Sequence, residues 1–99
     1  MSEQNVVKST GTLILINGKK IHGEIVCKPD GAAFYAKKSS EPTVEFQYTK
    51  INRLDNIRRG GTSSQVTVVL KAVENDGQKY TFELNQGLKV HKYIDDHWL

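Results

Sequence analysis

The sequence predicts a mainly β domain: six or seven antiparallel strands curled into a split barrel and capped by one C-terminal amphipathic helix. Three observations predict it. Apolar and polar residues alternate in short runs, most cleanly where Val44, Phe46 and Tyr48 interleave with Glu45, Gln47 and Thr49. Turn-forming clusters, Asn17-Gly18, Lys28-Pro29-Asp30-Gly31 and Glu74-Asn75-Asp76-Gly77, separate these runs at hairpin spacing. The last stretch takes up helical period: Val90, Tyr93, Ile94 and Trp98 fall on one face of a helix.

In order, residues 1–10 lack periodicity and are expected to form a flexible N-terminal segment, with residues 11–99 a single domain. Leu13 to Ile16 is apolar throughout, the signature of a covered strand. Asn17-Gly18 is expected to close the first hairpin as a two-residue type I′ turn, because both residues tolerate positive φ. In the partner strand Ile21, Gly23, Ile25 and Cys27 share one face, and Gly23 in mid-strand marks a bulge or a sharp bend. Ala32 to Lys38 is a third strand and Val44 to Thr49 a fourth. Ile51, Leu54 and Ile57 recur every third residue, so this stretch is a short strand or a tight turn. Arg58-Arg59-Gly60-Gly61-Thr62-Ser63-Ser64 has linker composition and is expected to be a mobile loop. A second hairpin pairs Val66, Val68 and Leu70 with Tyr80, Phe82 and Leu84. Asn85 is the expected N-cap of the helix. That helix is too short to persist alone, so it must pack on the sheet, with Trp98 plugging the barrel.

Composition excludes several classes. The chain has 99 residues, one cysteine and a net charge of +3 from 14 basic and 11 acidic residues. No internal disulfide can form, which suits a reducing cytoplasm, and the charge excess is small for a dedicated nucleic-acid binder. The first ten residues hold no apolar core, so a signal peptide is not expected. No apolar run reaches membrane-span length.

With the elements in place, the chain resembles the pleckstrin-homology-like barrel and, within it, GRAM-like and bacterial PH-like domains. The residues that carry the resemblance are Gly11-Thr12-Leu13 opening the first strand, Val44-Glu-Phe46-Gln-Tyr48-Thr-Lys-Ile51, Tyr80-Thr-Phe82, and the terminal helix with Trp98. The resemblance implies a non-enzymatic binding or adaptor module, with the loops after the first and third strands bordering a ligand mouth. A protein or peptide segment is the first partner implied, an anionic lipid headgroup the second, and the assembly a monomer or dimer. The first hairpin, Leu13-x-Leu15-x-Asn17-Gly18-x-x-Ile21-x-Gly23-x-Ile25, is also similar to Sm-like proteins, which would imply an RNA-binding alternative. That similarity covers about half the chain.

The candidate ligand-binding residues follow from turn parity. In an up-and-down meander alternate turns share one end, which would gather Lys19, Lys20, Lys37, Lys38, Arg58 and Arg59 into one rim. Ammonium and guanidinium groups beside glycine-rich turns suit phosphate. The plainer reading is that these residues solvate loop ends. Glu74 and Asp76 would oppose phosphate if they reached the same mouth. His22 and Cys27 are an odd number of positions apart and so face opposite ways, which leaves Cys27 a small core residue. His91, Asp95 and His97 lack a common face, so no metal is expected, and no cofactor or catalytic motif is found. Tyr35, out of register with Phe34, is the aromatic most available to a ligand.

Overall fold

A computed structural model of the chain describes residues 6–71 and 78–98. Its strands are β1 (Val7–Ile14), β2 (Lys20–Lys28), β3 (Gly31–Ala36), β4 (Pro42–Gln47), β5 (Ile51–Gly60), β6 (Ser63–Leu70) and β7 (Lys79–Leu84). A 3-10 turn, Tyr48–Lys50, separates β4 from β5, and the helix α1 (Gly87–Trp98) follows β7. The strands form one sheet in the order β4-β3-β2-β1-β7-β6-β5, with every neighbouring pair antiparallel. This is the predicted class: a rolled antiparallel sheet with one terminal helix.

How tightly the sheet rolls can be read from two phenylalanines. Phe34 on β3 and Phe82 on β7 are three strand steps apart, which would separate them by about 14 Å in a flat sheet. Their ring centroids are 5.7 Å apart, and both side chains are fully buried. Leu13, Ile25, Val66, Val68 and Ile94 complete the interior around them. Gly23 allows part of this curvature. It pairs with Gly11 on one side and Ala36 on the other without a register shift, so it is a bend and not a bulge. A Cβ there would lie 2.0 Å from the Tyr35 carbonyl oxygen, so the strands approach more closely than any side chain permits.

Several expectations are corrected. The segment read as loose through Thr10 is strand from Val7 onward: Val7 to Thr10 pair with Cys27 to Glu24, and Ser9 is buried. Its polar composition hid it, because the exposed positions are the ones carrying Lys8 and Thr10. The first turn is not type I′. Gly18 N–H donates to the Leu15 carbonyl and Leu15 N–H to the Lys19 carbonyl, both at 2.8 Å, and Gly18 alone in the turn has positive φ, at 88°. That is a three-residue turn with a glycine bulge, and it lifts Ile16 to the tip. The stretch expected to be a mobile loop, Arg58 to Ser64, is the tip of the β5–β6 hairpin, with Gly60 paired to Ser63. Its glycines are there for left-handed backbone, φ 151° at Gly60 and 54° at Gly61. The turn carrying Glu74 and Asp76 lies outside the described residues.

The helix is anchored by the strands. Asn85 does not cap it; the Asn85 Nδ2 donates to Thr10 Oγ1 at 2.7 Å. Ser9 Oγ instead accepts from the Gln86 N–H at 2.9 Å, and the Thr62 carbonyl accepts from Leu88 N–H at 3.3 Å. Helix-start donors are thus met by β1 and the β5–β6 turn. Val90, Tyr93 and Ile94 are the residues that close the barrel. Trp98 is only half-buried, at the rim, where its indole N–H donates to the Ile51 carbonyl at 3.1 Å. That bond supplies the partner a half-buried indole N–H requires. Asp95 and Asp96 are exposed, and Lys92 reaches Asp96 at 3.5 Å.

Candidate functional site

The strand ladders decide which loops meet. Through the pairings, Gly11 is level with Leu84, Leu84 with Ser64 and Ser64 with Arg58. Ile14 is likewise level with Thr81, Thr67 and Asp55. The end of β5 that carries Arg58 and Arg59 therefore lies toward the start of β1, away from the Lys19–Lys20 turn. The rim of six basic residues does not form. Parity failed because β4 and β5 are opposite edges of the sheet, so the step between them is not a hairpin.

The structure instead makes a groove of about 930 Å³ lined by residues of β1, β2 and β7, Gly11 and Gly23 among them. Lys37, Lys38 and Ser39 form one wall; Arg59, Ser63 and Asn85 form the other. Thr10, Thr12, His22, Glu24 and Glu83 line it between them. Three of the six candidate residues thus gather there, from opposite flanks, and Lys19, Lys20 and Arg58 do not.

Local chemistry fixes each wall. Lys37 is held by its N–H donating to the His22 carbonyl at 2.9 Å. Ser39 N–H donates to the Ala36 carbonyl at 3.0 Å, and Lys38 sits at φ 65°, the only non-glycine with positive φ among the described residues. A type II turn demands such a residue at its third position and normally uses glycine. Lysine there costs about 1–2 kcal/mol of backbone strain. Opposite, Arg59 Nη2 donates to Gln65 Oε1 at 2.6 Å. On the floor Thr12 Oγ1 is hydrogen-bonded to His22 Nδ1 at 2.9 Å. Glu24 and Glu83 put two carboxylates among these donors, which sequence reasoning overlooked. Strand alternation marks Thr10, Thr12, His22 and Glu24 as outward-facing, but only the register shows that they meet Glu83 and Asn85.

A smaller groove, about 520 Å³, lies on the other side of Tyr35 and is lined in part by Lys28, Ala33, Glu45 and Lys50. Tyr35 borders both grooves. Cys27, fully buried, belongs to neither: burial pushes its thiol up to about 12, with a hydrogen bond to Tyr48 partly opposing. Tyr48 donates to the Lys28 and Gly31 carbonyls at 2.7 and 3.2 Å, and burial raises its hydroxyl pKa as well. Cys27 is therefore expected to resist alkylation by iodoacetamide in the folded protein at mildly alkaline pH and to react once denaturant is added. Rapid labelling of the native chain would contradict that assignment. His97 stacks on Tyr93 at 4.1 Å, and among the described residues no group of three His, Cys, Asp or Glu side chains could hold a metal ion. Among those residues, too, no helix is long and apolar enough to cross a membrane.

No protein-family model matches the chain, and no curated protein matches it in sequence. Solved structures do match in fold. The C-terminal domain of an unknown protein from Leishmania infantum superposes with a TM-score of 0.72 at 8% identity, covering 97% of this chain and 84% of that one. The pleckstrin homology domain of USP37 superposes at 0.68 and 13% identity, covering 94% and 95%. The Slm1 PH domain in complex with D-myo-inositol-4-phosphate superposes at 0.63 and 10% identity, covering 93% and 91%. The fold is pleckstrin-homology-like. These structures carry that part of the resemblance and say nothing of a GRAM subtype or of Sm-like proteins.

Proposed function

We propose that this chain, a pleckstrin-homology-like barrel by fold, is a non-catalytic module that binds a phosphate-bearing group in the groove between Lys37–Lys38 and Arg59. The observation that carries the reading is the placement of cations on both walls of one groove, with threonine and serine hydroxyls between them. A phosphate bridging the walls takes charge-assisted hydrogen bonds from both sides. The groove's lining counts three basic residues, Lys37, Lys38 and Arg59, against two acidic ones, Glu24 and Glu83. A difference of one positive charge suits a single phosphate on a hydroxyl-rich carrier better than a polyanion, since the carboxylates accept from hydroxyls and repel further phosphates. The inositol phosphate named with the Slm1 domain is a ligand of that description.

Titration of the chain with inositol 4-phosphate, followed by calorimetry, tests this. Reversing both lysines, Lys37→Glu with Lys38→Glu, is expected to weaken binding at least about tenfold, since each charge-assisted contact is worth about 1.5–3 kcal/mol. Lys19→Glu with Lys20→Glu should weaken binding less than the Lys37/Lys38 reversal, because neither residue lines the groove. Equal affinity in the wild type and the Lys37/Lys38 variant removes the groove from consideration.

A peptide partner has one feature in its favour. β4 and β5 are the edges of the sheet, and β5 exposes Ile57 at 51%. Strand addition there would protect β5 amides from hydrogen exchange and leave the groove's ligand affinity unchanged.

A further inference from the structure

We propose that Asn17, at the tip of the β1–β2 hairpin, is a site of spontaneous covalent modification, in which the Gly18 nitrogen closes on the Asn17 side-chain amide and water opens the resulting ring to isoaspartate and aspartate. Neither residue lines the groove, so this goes beyond the ligand reading.

Asparagines occur at positions 5, 17, 52, 56, 75 and 85, and of these Asn17 alone precedes a glycine. Glycine has no Cβ to shield its own nitrogen. The fold adds three conditions. Asn17 and Gly18 are both exposed, and nothing lies within 4 Å of a Cβ at Gly18, so a five-membered ring has room to form. The Lys19 N–H donates to Asn17 Oδ1 at 3.0 Å, which turns the side-chain carbonyl toward the main chain that follows it. That donor draws electron density from Cγ, the atom attacked, and stabilises the oxyanion of the tetrahedral intermediate. Lys19 and Lys20 are exposed, and no acidic residue occurs from Leu13 to Gly23, so the local charge favours the amide anion that attacks.

One contact opposes the step. The Gly18 N–H donates to the Leu15 carbonyl at 2.8 Å and must be released first. β3 pairs with β2 only as far as Gly23 opposite Ala36, so the tip opens without disturbing the β2–β3 ladder. Other asparagines are held or shielded. The Asn85 side chain is bonded to Thr10 Oγ1, and Asn56 lies within the β5–β6 ladder, followed by β-branched Ile57.

The chemistry needs only water and hydroxide. Hydroxide takes the Gly18 amide proton, and the nitrogen bonds to Asn17 Cγ. The side-chain nitrogen leaves as ammonia, taking a proton from water and so restoring hydroxide. Water then adds to one of the two ring carbonyls, giving aspartate or isoaspartate according to which C–N bond breaks. Either product sets a carboxylate beside Lys19 and Lys20. Isoaspartate also inserts a methylene into the backbone of a three-residue turn, so the Gly18–Leu15 and Leu15–Lys19 bonds no longer close together.

Incubation of the full chain at mildly alkaline pH, followed by peptide mapping with mass spectrometry, tests the proposal. Position 17 is expected to gain the amide-to-acid mass shift ahead of every other asparagine, with its peptide accepting methyl groups in an isoaspartyl methyltransferase assay. The rate should rise about tenfold per pH unit, as an amide-anion nucleophile requires. Gly18→Ala, whose methyl group shields the nitrogen, should slow it at least about tenfold. Hydrogen exchange separates the products. Asn17→Asp should keep the Leu15 and Gly18 amides protected, because its carboxylate still accepts from the Lys19 N–H, whereas the isoaspartate form should lose that protection. No mass shift at position 17, earlier modification of another asparagine, an unchanged rate in Gly18→Ala, or native protection in the isoaspartate form overturns the proposal.

Discussion

Replacing Phe82 by alanine is expected to lower the unfolding free energy by about 3–5 kcal/mol. Phe82 is fully buried, lies opposite Leu13 on β1 and Val66 on β6, and meets Phe34 across the interior. Its ring therefore joins the two halves of the rolled sheet through the one closure, β1 with β7. The hole left by its removal is bounded by strands tied into ladders on both sides, so they cannot collapse inward to fill it. Single domains carry only about 5–15 kcal/mol in total, so the loss removes about a fifth of the stability or more. Urea unfolding measures this as a lower midpoint at an unchanged slope. Ile57→Ala, on the exposed edge, should shift the midpoint little. Similar losses at the two positions would mean the core is not organised around β7.

Gly23→Ala is expected to destabilise by about 1–3 kcal/mol and to weaken ligand binding in whatever fraction remains folded. The new methyl group would meet the Tyr35 carbonyl oxygen at 2.0 Å and the Tyr35 carbonyl carbon at 2.9 Å. These are backbone atoms within the β2–β3 ladder, so relief requires Gly23 and Ala36 to separate. That separation opens the bend at Gly23, which lines the groove, and moves Lys37, whose amide is bonded to His22 one residue away. Gly18→Ala is the informative comparison. Nothing lies within 4 Å of a Cβ at Gly18, so its cost is confined to backbone strain at φ 88°, and groove affinity should not change. Thermal unfolding and the inositol 4-phosphate titration together separate the two variants; equal binding in both would detach the bend from the site.

The fold was legible where local chemistry and global structure agree. Val44, Phe46 and Tyr48 announce an inward face and are all buried. Cys27 and His22 were assigned to opposite faces by counting, and one is buried while the other is exposed. Where the reading failed, a local signal had a second meaning. Gly60 and Gly61 suggest flexibility by composition, yet they meet the backbone demands of a tight hairpin. Asn85 has the chemistry of a helix cap, but β1 takes its side chain and supplies Ser9 Oγ to the helix start instead. The candidate site was legible by half: Lys37, Lys38 and Arg59 were named from turn positions, whereas Glu24 and Glu83 were missed.

By itself the sequence determined the alternating faces, the turns, the amphipathic stripe and therefore the class of the fold, because each depends on residues within a few positions of one another. Which basic residues face a common groove was decided only by the tertiary structure. That outcome turns on the pairing of Gly11 to Ile14 with Leu84 to Thr81, a contact between the chain's two ends. The closure sets the direction in which β7, β6 and β5 run relative to β1, and so brings Arg59 to the groove and leaves Lys19 and Lys20 outside it. No period or spacing within either half of the chain records it.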